Sequence, residues 1–219
     1  MRLKNQVPAT AAADDATHAR HRWNATDLSL IAVFAAMVAA LAILPAIPAG
    51  PLGVPVTLQT LAVMVTGIVL GPARGGAAVA LYVLVGLAGL PIFSGFTGGV
   101  GVLAGPSAGY LIAFPFAAVV AGFLARLVLT RVRRFRYAAL FGACMVASLL
   151  VIHPLGIAGL IINGKLDFVT AVLADAIYLP GDVLKNLVAA AIGLSVHRAF
   201  PRLIGGRQRP TAPATASTR

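Results

Sequence analysis

An aspartate and a lysine lie three residues apart in the stretch "YLPGDVLKN", residues 178–186, between the apolar segments "LDFVTAVLADAI" and "LVAAAIGLSV". Residues three apart share a helix face, so Asp182 and Lys185 would present an acceptor beside a donor, and Asn186 extends that face. Ionisable groups inside a membrane helix cost about 2.5–3.5 kcal/mol on insertion scales and often mark a substrate site. The pair could instead be an internal ion pair that only locks two helices together, and its residues alone leave both interpretations open.

The composition identifies the class of protein that must position these charges. The chain has 219 residues, of which 59% are hydrophobic and 11% are charged, and its mean hydropathy is +0.94. Soluble domains carry about 25% charged residues, and disordered chains have far less apolar surface than this one. Composition therefore predicts a multi-span membrane protein with one compact bundle.

The basic residues indicate how that bundle is oriented. The chain has 17 Lys and Arg against six acidic residues, and 15 of the 17 lie in the segments 1–26, 71–74, 126–136 and 198–219. Such clusters between apolar runs are typical of membrane topology and do not form a nucleic-acid-binding face. The positive-inside rule places both termini in the cytoplasm, with the chain embedded in the lipid bilayer of the cell membrane.

The apolar runs predict an all-α membrane protein with six transmembrane helices in one bundle, over residues 27–200. The tails 1–26 and 201–219 are expected to be cytoplasmic and disordered. The connections 45–55, 91–107 and 163–167 are expected to face outwards. The predicted spans are 28–44, 56–70, 75–90, 108–129, 137–162 and 180–196, with a half-length segment at 168–179 before the last one.

Other candidate ligand-binding residues come from the second span, from the glycine-rich segment 91–107 and from the start of the fourth span. This segment lacks the Gly-Lys-Ser/Thr ending of a phosphate loop, but its amides could surround a ligand. His153 precedes a proline and is expected to be a hydrogen-bonded residue at a bend rather than a proton relay. No metal-binding helix or activated serine is recognisable, so we expect neither an enzyme nor a cofactor. The additional candidates for substrate binding are Gln59, Phe93, Ser94 and Tyr110.

Small residues recur every four positions on the first span, at Ala32, Ala36 and Ala40. A strip of small side chains lets another helix approach closely. The strip could pack inside this bundle or bind a partner protein, and the sequence favours neither.

Two separated motifs resemble one known family. Residues 54–115, "VPVTLQTLAVMVTGIVLGPARGGAAVALYVLVGLAGLPIFSGFTGGVGVLAGPSAGYLIAFP", look like the long core of BioY, the biotin-binding S component of energy-coupling factor (ECF) transporters. "YLPGDVLKN" is similar to the Pro-Gly-Asp-x-x-Lys element of that family. The resemblance covers residues 28–200, and departs from the family where Ala108 and Ala113 stand in place of expected glycines.

This resemblance implies an S-component-like bundle that captures biotin from outside, as part of uptake across the cytoplasmic membrane. It also implies a transmembrane T component and two ATPase subunits as partners, although some family members act without them. Asp182 would accept from the ureido N–H groups of biotin, and Lys185 would donate to the ureido carbonyl. The alanine strip would bind the T component. The alternatives are an S component for another vitamin, or a structural membrane protein without a transport role.

Overall fold

The computed structural model describes residues 23–44, 47–49 and 52–200, and most of this part of the chain is helical. The predicted tails lie outside the described residues apart from 23–26, where the first helix already begins. The elements are α1 (Ala25–Ala42), β1 (Ile47–Ala49), β2 (Val54–Val56), α2 (Gln59–Leu70), α3 (Pro72–Leu87), α4 (Ala108–Arg131), α5 (Arg136–Ala147), α6 (His153–Ile162), α7 (Phe168–Ala176) and α8 (Leu179–Ala199).

The start of α1 is fixed by a capping box. The Asn24 side chain accepts from the backbone N–H of Asp27 at 2.8 Å, and the Asp27 carboxylate accepts from the N–H of Asn24 at 3.1 Å. These bonds satisfy two N–H groups that a helix start leaves without partners. The helix therefore begins at Ala25, three residues before the predicted span. Asp27 also forms a 3.3 Å ion pair with Arg74 of α3, which joins the ends of the two helices.

Four helical stretches in the described part of the chain are long and apolar enough to cross a membrane. They are α1, α4, the continuous stretch Arg136–Ile162 and α8. The other two predicted spans correspond to shorter apolar helices, α2 with 12 residues and α3 with 16. A membrane-spanning helix normally needs about 20 residues.

The short length of α2 has two physical causes. Val56, the predicted first residue of this span, instead pairs with Ile47 in an antiparallel hairpin, so the helix begins at Gln59. Every residue from 62 to 70 is buried, because α2 lies in the middle of the bundle and packs against α1, α3, α4 and α8. A helix that is surrounded by protein need not match the thickness of the hydrocarbon.

The predicted break before the last span is displaced. We expected the half-length segment to end at residue 179 and the last helix to begin at Pro180. In the structure α7 ends at Ala176 and α8 begins at Leu179, with Pro180 inside its first turn. Proline is tolerated there because the first N–H groups of a helix have no intrahelical acceptor. Asp182 consequently lies one turn inside α8.

The close contact between α4 and α6 depends on two glycines. A Cβ at Gly109 would overlap the carbonyl oxygen of Leu155, and one at Gly159 would lie 2.7 Å from the backbone nitrogen of Gly109. Small residues at such crossings allow direct backbone contact between membrane helices. This contact positions the N-terminal end of α4 beside α6 and α7.

We therefore expect Gly109→Ala to lower the stability of the folded protein. Overpacking costs typically 1–3 kcal/mol, because the two backbones must separate to accept the methyl group. Gly142→Ala on α5 is the matched control, since a Cβ there meets nothing within 4 Å and alanine favours a helix. Cys144 is the chain's single cysteine and is buried, so a thiol-reactive fluorophore can report unfolding during heating. Equal melting temperatures for the two variants would contradict this account of the crossing.

Candidate functional site

A cavity of about 320 Å³ lies at one end of the bundle. Its walls come from strand β2, from the first residues of α2, α4 and α8, and from the glycine-rich segment between α3 and α4. Most lining side chains are apolar or aromatic, with a few polar groups among them. Size and composition are those of a small-molecule site.

The polar wall of the cavity is formed by Asp182, Lys185 and Thr60. The Lys185 ammonium group donates to Asp182 Oδ1 at 2.8 Å and to the Thr60 hydroxyl oxygen at 3.0 Å, and the Thr60 hydroxyl donates to Asp182 Oδ1 at 3.2 Å. Asp182 is only 4% exposed. The i, i+3 spacing places both charges on one face of α8, as predicted. Thr60 joins this face to the start of α2.

A second buried carboxylate lies behind this wall. Asp175, near the end of α7, accepts a hydrogen bond from the Tyr110 hydroxyl at 2.7 Å, and its other oxygen lies 2.7 Å from His153 Nδ1. Tyr110 also packs edge-on against Tyr178, with ring centroids 5.9 Å apart. The network therefore joins α4, α6 and α7 through side chains that are distant in sequence.

The imidazole of His153 connects the two carboxylates. Its Nε2 atom lies 3.5 Å from Asp182 Oδ2, within range of an ion pair. This buried nitrogen has no hydrogen-bond partner among the described residues, so we regard its contact with Asp182 as electrostatic.

A π-helical turn brings His153 to this position. Residues Ser148–Ile152 form a π helix, and the N–H of His153 bonds to the carbonyl of Ser148, five residues earlier. Pro154 has no N–H to donate, so a regular α-helix could not continue unchanged through it. Such π turns are frequent at functional sites. The predicted bend is therefore a local change of helical register, and His153 is hydrogen-bonded inside the bundle, as the sequence indicated.

The aromatic wall is held by buried contacts on α2 and α3. The Gln59 amide donates to the Tyr82 hydroxyl oxygen at 2.6 Å, and Tyr82 packs edge-on against Phe93 with a centroid distance of 5.4 Å. The Phe93 ring lies directly against Gly86, where any Cβ would overlap it. These contacts keep Phe93 at the edge of the cavity.

Two backbone anchors hold the segments that cover the cavity. The Tyr178 hydroxyl donates to the carbonyl of Val54 in the hairpin at 2.9 Å. The Asn163 amide at the end of α6 donates to the carbonyls of Leu103 and Gly105 at 2.9 and 3.0 Å. The glycine-rich segment is not a plain helix, as expected, and contains the short 3₁₀ turns Ser94–Phe96 and Val100–Ala104.

Six of the seven side chains predicted to bind substrate line this cavity: Gln59, Phe93, Ser94, Tyr110, Asp182 and Lys185. Asn186 is buried away from it, with its amide 3.3 Å from the sulfur of Met145. It follows Lys185 on the same helix, but the side chain points towards α5.

Sequence reasoning did not include Asp175, Thr60 or Tyr178 in the site. A usable signal existed for Asp175, since a carboxylate within an apolar segment is itself a candidate functional group. Thr60 lies near the start of the second predicted span, but nothing in the sequence distinguishes it from other threonines. Tyr178 lies in the quoted motif, and its role in holding the hairpin depends on a contact across 124 residues.

The chemistry that these groups offer is recognition by hydrogen bonding and charge. A carboxylate, an ammonium group and a hydroxyl converge on one wall, and aromatic rings also line the cavity. No cluster of three or more metal-ligating side chains occurs in the described segments.

Comparisons with known proteins identify the family of this chain. The model of the BioY family matches residues 15–202. The chain belongs to the BioY family. The resemblance seen in the sequence motifs is thereby confirmed, and the family consists of transporter components rather than enzymes.

Curated BioY relatives match over most of their length. The biotin transporter BioY of Rhizobium etli is 38% identical over 152 residues, which are 68% of this chain and 81% of the relative. That of Rhodobacter capsulatus is 36% identical over 167 residues, 71% of this chain and 85% of the relative. The probable biotin transporter BioY of Bacillus subtilis is 35% identical over 147 residues, which are 67% of this chain and 77% of the relative.

One solved structure has the same fold as this BioY chain. It is the crystal structure of the S-component for biotin from an ECF-type ABC transporter. The TM-score is 0.74 at 26% sequence identity, and the match covers 79% of this chain and 91% of the other.

Proposed function

We propose that this protein captures biotin in the cavity described above and serves as the substrate-binding component for its uptake. The observation that carries the proposal is the Asp182–Lys185–Thr60 cluster on the wall of a small-molecule cavity, in a chain of the BioY family. The relatives are named biotin transporters, and the solved neighbour is an S-component for biotin.

The cluster matches the ureido ring of biotin chemically. This ring has two N–H donors and one carbonyl acceptor. Asp182 accepts from the N–H groups, and Lys185 donates to the carbonyl together with Thr60. Phe93 and Tyr110 pack against the apolar parts of the ligand. We assign no direct contact to Asn186, because its side chain lies against Met145.

The position of the cavity supports an outward orientation. The cavity is lined by the N-terminal ends of α2, α4 and α8, whereas Arg131, Arg133, Arg134 and Arg136 lie at the other end of α4 and at the start of α5. Under the positive-inside rule the arginine end is cytoplasmic, so the cavity faces outwards. We place both termini in the cytoplasm and the protein in the cell membrane, with α2 and α3 completing a six-helix bundle.

The exposure of the alanine strip supports the binding of a partner protein. Ala32, Ala36 and Ala40 are exposed, while α1 packs into its own bundle through Ile31, Ala35, Val38 and Ala42. The structure thus gives no support to packing of the strip inside this bundle. We propose that the strip binds the transmembrane T component of an ECF transporter, whose two ATPase subunits supply the energy.

The charged pair can be tested through biotin affinity. We expect Asp182→Asn and Lys185→Met each to weaken biotin binding roughly tenfold to a hundredfold, because a hydrogen bond to a charged group is worth about 1.5–3 kcal/mol. Binding of radiolabelled biotin to the purified protein measures this. Asp167→Asn and Lys165→Met are matched controls, since both residues are exposed and neither lines the cavity.

The double variant Asp182→Asn, Lys185→Met separates a binding site from an internal lock. Removing a whole buried ion pair is often neutral for stability, so a lock would be relieved. A pair that binds the ureido group would not recover, because biotin would meet neither the carboxylate nor the ammonium group. A folded double variant with parental biotin affinity would refute the site assignment.

Orientation can be tested by cysteine labelling in a Cys144→Ala background. Gly101→Cys, exposed in the segment between α3 and α4, should react with an impermeant maleimide on intact cells. Arg133→Cys, exposed between α4 and α5, should react only after permeabilisation. The reverse pattern would overturn the orientation. The predicted outward connection 45–55 is less suitable, because Gly50 lies outside the described residues.

Binding of the T component to the alanine strip, which we call the docking face, can be tested by adding a bulky side chain. Ala36→Trp should abolish co-purification of the T component and the ATPase subunits but leave biotin binding unchanged, because α1 contributes no residue to the cavity lining. Ala191→Trp is the matched control, an exposed alanine on α8. Loss of biotin binding together with assembly would show that the strip is required inside the bundle instead.

A further inference from the structure

The imidazole of His153 lies between two carboxylates, in a chain where buried ionisable groups are rare. Nδ1 is 2.7 Å from Asp175 Oδ2 and Nε2 is 3.5 Å from Asp182 Oδ2, and the residue is 5% exposed. Asp182 belongs to the proposed biotin site. Asp175 and His153 do not, since neither lines the cavity.

The contacts determine which ring nitrogens carry protons. Asp175 accepts from the Tyr110 hydroxyl on one oxygen, and its other oxygen lies at hydrogen-bonding distance from Nδ1. An ionised carboxylate is only an acceptor, so Nδ1 must carry a hydrogen. If Nε2 carried no hydrogen, its lone pair would face the negatively charged oxygen of Asp182, and no donor among the described residues forms a hydrogen bond with Nε2. With a hydrogen, Nε2 faces an acceptor of opposite charge.

The charge balance around the ring favours the same state. The ionisable groups that surround it are Asp175 of α7, with Asp182 and Lys185 of α8. Tyr110 of α4 and Tyr178 between α7 and α8 contribute neutral hydroxyl groups near Asp175. With a neutral ring this cluster has a net charge of about −1, and with an imidazolium it is neutral. Uncompensated charge in an apolar interior is costly.

We propose that His153, held by Asp175, is a proton-binding site coupled to the cavity, so that the protein binds an anionic substrate together with one proton. The inference rests on the proposed function, because biotin carries a carboxylate that is ionised above about pH 4. The proton comes from solvent and adds to Nε2, and no other bond changes. The ligand's negative charge then enters beside a neutral cluster rather than a negative one.

The sign of the pH dependence follows directly. As the pH rises through the titration of His153, the cluster becomes negative and repels the anion, so biotin affinity falls. Two unit charges about 10 Å apart at an effective dielectric constant of about 20 interact strongly enough to change a binding constant roughly tenfold. The expected effect is therefore about a tenfold loss of affinity on the alkaline side, where the ring gives up its proton.

The first experiment measures this on the unmodified protein. Biotin dissociation constants of the purified full chain are measured from mildly acidic pH to the highest pH at which the protein stays folded, and they are compared with those of biotin methyl ester. The ester keeps the ureido ring but has no negative charge, so its affinity should change less than about twofold. A flat biotin profile, or an equal slope for the ester, would overturn the proposal even if no variant folds. Absence of biotin binding at every pH would instead contradict the proposed function.

Two variants test the charge balance. His153→Gln cannot take up the proton, so it should bind biotin at every pH with about the weak affinity of the parent at alkaline pH. Asp175→Asn removes one negative charge, so at alkaline pH, where the ring is neutral, it should bind biotin more tightly than the parent does at that pH. A residue with only a packing role would lower affinity without removing the slope.

His197→Gln is the matched control for these variants. His197 is also buried, but its Nε2 lies 2.7 Å from the carbonyl of Ile68, close to the C-terminal end of α8 and remote from the cavity. This variant should keep the pH dependence of the parent. Labelling of Cys144 under native conditions verifies that each variant is folded. A His153→Gln protein that is folded and retains the full slope would refute the assignment of the proton site.

Discussion

Buried charge is the constraint on which the arrangement of this bundle depends. Asp175 and Asp182 are 4% exposed each, in a protein whose buried residues are mostly apolar. An isolated carboxylate there would be prohibitively unfavourable, so each one is surrounded by donors or cations. Lys185 and Thr60 donate hydrogen bonds to Asp182, while Tyr110 and His153 contact the two oxygens of Asp175. The carboxylates and their partners together come from five helices, α2, α4, α6, α7 and α8, and removal of any one partner leaves a buried carboxylate with one contact fewer.

The irregular parts of the backbone lie where this polar network needs them. A membrane interior tolerates interrupted helices only where protein or a cavity satisfies the freed backbone groups. Here α2 starts late after the hairpin, α7 and α8 are separated by a short break, and a π turn precedes His153. All three irregularities bring polar side chains to the same end of the bundle.

The sequence was sufficient for the class of protein, most of the helices and the charged wall of the cavity, but not for the complete network. Hydropathy locates apolar runs, and a charged pair at i, i+3 within such a run is conspicuous because both members are on one helix. The Asp175–His153 contact links residues 22 apart on different helices, and Tyr110 reaches Asp175 across 65 residues. Periodicity carries no information on such contacts. Helix ends were also displaced where strand pairing at Val56 and the tolerance for Pro180 in a first turn outweighed the apolar pattern.

The central helix α2 physically connects the cavity with α1, the helix that carries the proposed docking face. α1 lines no part of the cavity, yet it packs against α2, and α2 supplies Gln59 and Thr60 to the cavity wall. Thr60 bonds both members of the charged pair on α8. A shift of α2 relative to α8 would therefore break contacts to Asp182 and Lys185 at once. A partner bound to the outer face of α1 could alter the ligand site through this one buried helix, without any contact to the ligand itself.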